Sequence, residues 1–232
     1  GFLLTFISMA RELGVERIRI ADTVGLSSPS SIAALMKTLV VAEPSLTFEF
    51  HGHNDLGMGT ANALSALESG ARAVSTTLNG LGERAGNAAT EEVAAALAFA
   101  SSLPCRIHRG RLALACRYAA HASGRPVPEQ KPVTGARVFD HEAGIHSHGQ
   151  LRNPLAFQPF MPSDVGHGGG RIVPGSHSGT AGLVHILEAL GIHPEIHRIG
   201  DLLKNVRNRA RLNGRSLTDM ELLGLYHGLT ER

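Results

Sequence analysis

The sequence predicts an α/β fold built on a parallel sheet, and three observations carry that reading. Apolar residues alternate at the strand period of two in short runs: Ile18 and Ile20 after Val15, then Leu46, Phe48 and Phe50 between Thr47 and Glu49. Helical spacing of apolar residues follows each run, with turn residues between. The strand ends at Thr23, His51 and Asn79 stand 28 residues apart, the length of one βα unit. Three such units in tandem imply right-handed crossovers and a parallel sheet. Periodicity leaves a doubly wound sheet and part of a (β/α)8 barrel both open. In this class ligands sit at the carboxyl ends of the strands.

The elements follow in order. Phe2 to Leu13 carries Phe2, Phe6, Met9, Ala10 and Leu13 at helical spacing and stops at Gly14. A strand from Val15 to Ala21 ends at Asp22-Thr23-Val24-Gly25. Pro29 suits the first turn of a helix through Ile32, Leu35, Met36 and Leu39, which ends before Pro44. After the His51 strand, Gly59 to Ser69 is a helix capped by Gly70, Ala71 to Leu78 is a strand, and Ala88 to Leu103 is an Ala-rich helix closed by Pro104. Gly110 to Ser123 is one more helical segment, and Gly124 to Pro132 is a linker whose three prolines forbid regular helix. Residues 133–179 are rich in Gly, His and Pro and suggest a loop-dominated subdomain. Helices at Thr180 to Leu190, Ile199 to Leu212 and Thr218 to Leu229 complete the chain, the last with Thr218 and Glu221 at capping-box spacing. The expected division is 1–105 for the sheet, 106–132 for helix and linker, and 133–232 for the subdomain and terminal helices.

Composition narrows the function classes. A net charge of +2 with both signs interspersed argues against nucleic acid as a partner, despite a pI near 8.8. The two cysteines, Cys105 and Cys116, lack CxxC spacing and suit reduced thiols in a cytoplasmic protein. The apolar opening Gly1 to Ile7 runs into Arg11 and Glu12, which suits an amphipathic helix and not a signal peptide. No run of about 18 apolar residues marks a membrane span.

The candidate site lies at the second and third strand ends. His51 and His53 are two apart on extended backbone and present both imidazoles to one side, as a divalent metal needs; a polar strand end is the plainer alternative. The loop Asn79-Gly80-Leu81-Gly82-Glu83-Arg84-Ala85-Gly86-Asn87 adds an amide oxygen, a carboxylate, a guanidinium and glycines that let backbone approach a ligand. We expect His51, His53 and Asn87 to lie around one point.

At these residues the sequence resembles the Claisen-condensing acyltransferases that include homocitrate, 2-isopropylmalate and citramalate synthases. The matching stretches are Ala21 to Gly25, His51-Gly52-His53-Asn54-Asp55, Asn79 to Asn87, His141-Glu142-Ala143-Gly144-Ile145-His146 and His177-Ser178-Gly179. The wording at Thr76 to Asn87 and from Gly135 to His146 is most similar to the nitrogen-fixation branch of the homocitrate synthases. The resemblance implies the C-terminal portion of a (β/α)8 TIM barrel, about three βα units, followed by a small α+β linker subdomain and C-terminal helices. It implies a divalent metal (Mg, Mn or Zn) held by His51, His53, Asn87 and an Asp on the family's first strand. It further implies Thr23 and Asn79 at the substrate, His146 in proton transfer with Glu83 and Arg84 beside the reaction, and acetyl-CoA and a 2-oxo acid as substrates, with 2-oxoglutarate leading.

The sequence departs from the family in three places. Phe157 stands where the family has a Tyr, Ser176 replaces a Lys before His177, and the family's first five strands have no counterpart. A three-stranded sheet of this kind is expected to leave two unpaired edges and an uncovered apolar face. The implied partner is a second copy of the chain or a chain that supplies the missing strands. A non-catalytic metal-binding remnant and a carbon–carbon lyase on the same barrel are the competing readings.

Overall fold

After a short first helix the chain enters a run of alternating strands and helices that defines one of two units, Gly1–Gly135; the other starts at Ala136. The computed structural model describes residues 1–230. The first unit comprises α1 (Phe2–Glu12), β1 (Arg17–Asp22), α2 (Pro29–Ala42), β2 (Thr47–Gly52), α3 (Gly59–Glu68), β3 (Ala73–Ser75), α4 (Thr90–Phe99) and α5 (Leu112–Ser123). Ser28 caps α2 by accepting from the Ser31 amide, with Pro29 in the first turn. The strands form one parallel sheet in the order β1-β2-β3.

Register gives that sheet two unlike faces. Ile18 lies opposite Phe48, Ile20 opposite Phe50, and Phe50 opposite Val74. This face meets Ile7 of α1, Ile32, Met36 and Leu39 of α2, Ala63 and Ala66 of α3 and Val93 of α4 in one apolar core. On the reverse face Arg19 lies opposite Glu49, Ala21 opposite His51, and His51 opposite Ser75. Here Glu49 is buried while pairing with Arg17 and, at 2.7 Å, with Arg19. Burial raises the Glu49 carboxyl, but the two guanidinium groups outweigh it and hold the group below its ordinary range.

The uncovered apolar face is therefore corrected: alternation turns the aromatic residues toward this unit's own helices and the charged residues to the other side. Exposed apolar surface lies instead on α1 and the residue that ends it, where Phe2, Phe6, Met9 and Leu13 are all more than half exposed. Two boundaries also move. β3 stops at Ser75 and α4 starts only at Thr90 because Thr77 pairs with Ala89 in a bridge, its amide donating to the Ala88 carbonyl at 3.1 Å.

The second unit holds α6 (Gly144–Arg152), α7 (Thr180–Ala189), α8 (Ile196–Asn213) and α9 (Asp219–Thr230). Its core joins Leu183 and Leu187 of α7, Leu202 and Val206 of α8, and Leu222 and Tyr226 of α9. The capping box before α9 forms, the Thr218 amide donating to Glu221 at 2.8 Å and the Glu221 amide to the Thr218 hydroxyl at 3.2 Å. The α+β expectation for this subdomain is corrected as well. Among the described residues its only β pairing is the single bridge His141–Ile172, since its glycines and prolines interrupt any longer run.

The two faces give a direct test. Phe50→Ala removes a fully buried ring and should cost about 3–5 kcal/mol in urea unfolding. Phe6→Ala, at a site 56% exposed, should change stability by no more than about 0.5 kcal/mol.

Candidate functional site

β2 carries His51 at its end and delivers His53 one residue beyond Gly52, where a side chain would collide with the Phe50 ring. The two imidazoles meet edge to face, their centroids 4.8 Å apart. Asn87 joins them through an antiparallel bridge to His53, supported by the Asn54 amide donating to the Gly86 carbonyl at 2.9 Å. The structure thus brings the three sequence-predicted ligands to one edge of the sheet.

The polar atoms there suit a cation. His53 Nδ1 lies 3.1 Å from the Asp22 carbonyl, so that nitrogen is the donor and Nε2 is the one left for a ligand. The Asn87 amide nitrogen donates to the Leu81 carbonyl at 3.1 Å, while its Oδ1 is buried without a hydrogen-bond partner, as is His51 Nδ1. Burial, then His53 and Arg19, lower the His51 pKa and favour the neutral ring that a metal ligand requires. Two imidazoles and an amide oxygen fit a divalent ion, though incompletely. Among the described residues no group of three or more His, Cys, Asp or Glu is placed to hold one, so the carboxylate of the implied ligand set has no counterpart in this arrangement.

Arg84 ties the strand ends together. It donates to both Asp55 carboxylate oxygens at 2.8 and 2.9 Å and to the Thr23 carbonyl at 2.7 Å. That bidentate contact lowers the Asp55 carboxyl and raises the Arg84 guanidinium. Arg84 occupies left-handed backbone at φ 52°, and Asn79, at the other end of the loop, does so at φ 60°. Gly25, at φ 67°, admits Asp55 where a side chain would strike its carboxylate. Thr23 is exposed beside this contact and Glu83 is exposed on the loop. Asn79 donates its amide nitrogen to the Cys116 carbonyl at 2.9 Å, which leaves Oδ1 buried and unpartnered.

His146 sits on α6 of the second unit, its ring 5.2 Å from Phe157 and 6.5 Å from His141. Glu142, which the sequence reading passed over inside its own motif, joins two motifs read as separate. Its carboxylate accepts from the His177 amide at 3.0 Å and from the Ser216 hydroxyl at 2.9 Å, and the Gly144 amide donates to the His177 carbonyl at 3.0 Å. Gly144 and Gly179 touch so closely that a Cβ on either would overlap the other's backbone. A carboxylate inside the first of two glycine-containing motifs was the available signal.

Comparison with known proteins matches residues 1–113 to the HMGL-like family and residues 133–213 to the homocitrate synthase post-HMGL domain-like family. A protein named 2-isopropylmalate synthase 2 from Caldanaerobacter subterraneus is 42% identical over 97% of this chain and 58% of its own length. Homocitrate synthase 1 from Nostoc sp. is 43% identical over 97% of the chain and 59% of its own. A homocitrate synthase from Frankia alni is 45% identical over 82% and 54%. The chain spans a little over half the length of these relatives.

Glu142 supplies the test at this level. Burial raises its carboxyl, but the His177 amide and the Ser216, His177 and Ser176 side chains bring it below its ordinary value. Its contribution to stability is therefore present above that value and lost as pH falls through the depressed one. Thermal melts between about pH 3 and 7 should show this acid limb flattened in Glu142→Gln, with about 1–3 kcal/mol lost at neutral pH.

Proposed function

From the premise that this chain joins an HMGL-like segment to one like the homocitrate synthase post-HMGL domain, we propose that it serves the Claisen condensation of acetyl-CoA with a 2-oxo acid. The acceptor we assign is 2-oxoglutarate, giving homocitrate and free CoA, on the wording shared with the nitrogen-fixation branch at Asn79 to Asn87 and His141 to His146. Since the relatives are nearly twice as long, complete activity requires the remaining barrel strands, from the same polypeptide or a companion chain. The first segment alone would equally suit a carbon–carbon lyase; the match over 133–213 favours the condensing reaction.

The observation that carries the proposal is the pair of buried, unpartnered acceptors, His51 Nδ1 and Asn87 Oδ1, beside His53. His51, His53 and Asn87 would hold a divalent cation, whose chemistry there is Lewis-acid polarisation of the substrate's keto group. Thr23 and Asn79 would receive the substrate's carboxylate and oxygen atoms. Arg84, held on Asp55, keeps the loop over the strand ends, and Glu83 beside it adds negative charge at the loop surface. His146 would take the methyl proton of acetyl-CoA in a partner subunit's barrel, work suited to an imidazole because it can both accept and donate a proton. The new carbon–carbon bond forms at the keto carbon, and water then releases CoA from the thioester.

A free-thiol assay on the chain reconstituted with the relatives' N-terminal half-barrel should show turnover with 2-oxoglutarate in preference to pyruvate and 2-oxoisovalerate. Turnover only with 2-oxoisovalerate would refute the homocitrate assignment and leave the condensing chemistry standing; no turnover with any acceptor would favour the metal-binding remnant. His146→Ala should reduce the rate by roughly 10²–10⁴-fold. Phe157→Tyr, which places a hydroxyl beside His146, should raise it.

A further inference from the structure

Behind the Asn79–Asn87 loop lies a buried charge pair that the proposed chemistry does not use. Glu91, in the first turn of α4, is fully buried, and Lys131 is brought to it by the proline-rich segment after α5. The Lys131 ammonium lies 3.1 Å from Glu91 and also pairs with Glu92, whose second oxygen accepts from Thr60 at 2.7 Å. The other Glu91 oxygen accepts from the Asn79 backbone amide at 3.1 Å. From Asn79 the connection continues: the next residue's carbonyl, that of Gly80, accepts from the Asn87 amide at 3.0 Å. A short relay therefore runs from Lys131 through Glu91, Asn79 and Gly80 to the backbone of Asn87.

Strain marks both ends of this relay. Among the described residues only Asn79, Arg84 and Val133 are non-glycine residues at positive φ. Two lie in the loop; the third, at φ 70°, lies two residues after Lys131 and is buried despite being β-branched. The turn around it is closed by the Lys131 amide on Pro128 at 3.0 Å and the Gly135 amide on Lys131 at 2.9 Å. Backbone held this far from its preferred wells persists only where its surroundings over-determine it. Nearby, burial and then the Glu91 carboxylate push the Cys116 thiol up to about 12, so the neighbouring sulfur stays protonated and adds no second negative charge beside the pair.

We infer that Glu91 and Lys131 are positioning residues, a clamp through which the proline-rich segment holds the 79–87 loop in its strained form and sets the place of Asn87. Asn87 as a ligand rests on the function proposed above; the clamp itself does not. Hydrogen exchange of the full chain, read peptide by peptide without metal or substrate, tests it. In Lys131→Met and Glu91→Gln the amides of residues 79–87 should exchange about tenfold faster while those of β2 keep their protection. Should Lys131→Met fail to fold, Glu92→Gln carries the test, with acceleration of about two- to fivefold confined to the same loop. An unchanged loop, or equal acceleration in the loop and β2, would overturn the inference, the latter showing a pair that only stabilises the unit as a whole. Mn2+ titration of the same proteins should show weaker binding in Lys131→Met than in the parent chain. Absence of Mn2+ binding by the parent chain would remove the metal reading and leave the clamp to stand on the exchange result.

Discussion

Arg84 makes three hydrogen bonds across the carboxyl edge of the sheet, two to Asp55 after β2 and one to the Thr23 carbonyl after β1. Together they join two strand ends to the loop that follows β3. They reinforce the contacts that already link these loops, His53 on the Asp22 carbonyl and the Asn54 amide on the Gly86 carbonyl, and so support the bridge that sets Asn87 against His53. The planar guanidinium suits this task because its donors lie in a fixed fork that matches a carboxylate. Its left-handed backbone is the conformational cost of aiming that fork back across the site.

The site also depends on the unlike faces of the sheet. Phe48 and Phe50 anchor β2 in the core made with the helices, so its alternate residues Glu49 and His51 must face the other way. Glu49 in turn holds Arg17 and Arg19 on that side. The strand that supplies most of the packing therefore supplies the first imidazole by the same alternation, which links the stability of the fold to the direction of the candidate ligand.

Much of this is legible in the sequence where the signal is local. The regular spacing of strand ends, the alternation around Phe48 and the His51/His53 spacing each report a backbone period. What escaped is long-range and polar. Arg84 and Asp55 are 29 residues apart, and the contacts of Glu91 with Lys131 and of Glu142 with His177 have no period to betray them. β3 was read too long because Thr76 and Thr77 favour strands, whereas the returning chain at Ala89 takes up Thr77. The uncovered apolar face was misread because counting strands says nothing about which side their aromatic residues take.

The central claim is that His51, His53 and Asn87 converge on one cation-binding point. Paramagnetic broadening by Mn2+ in the nuclear magnetic resonance spectrum of the chain tests it most directly. Selective loss of the His51 and His53 ring signals together with the Asn87 side-chain amide is the predicted result. Broadening centred on other histidines, with these three signals intact, would contradict it.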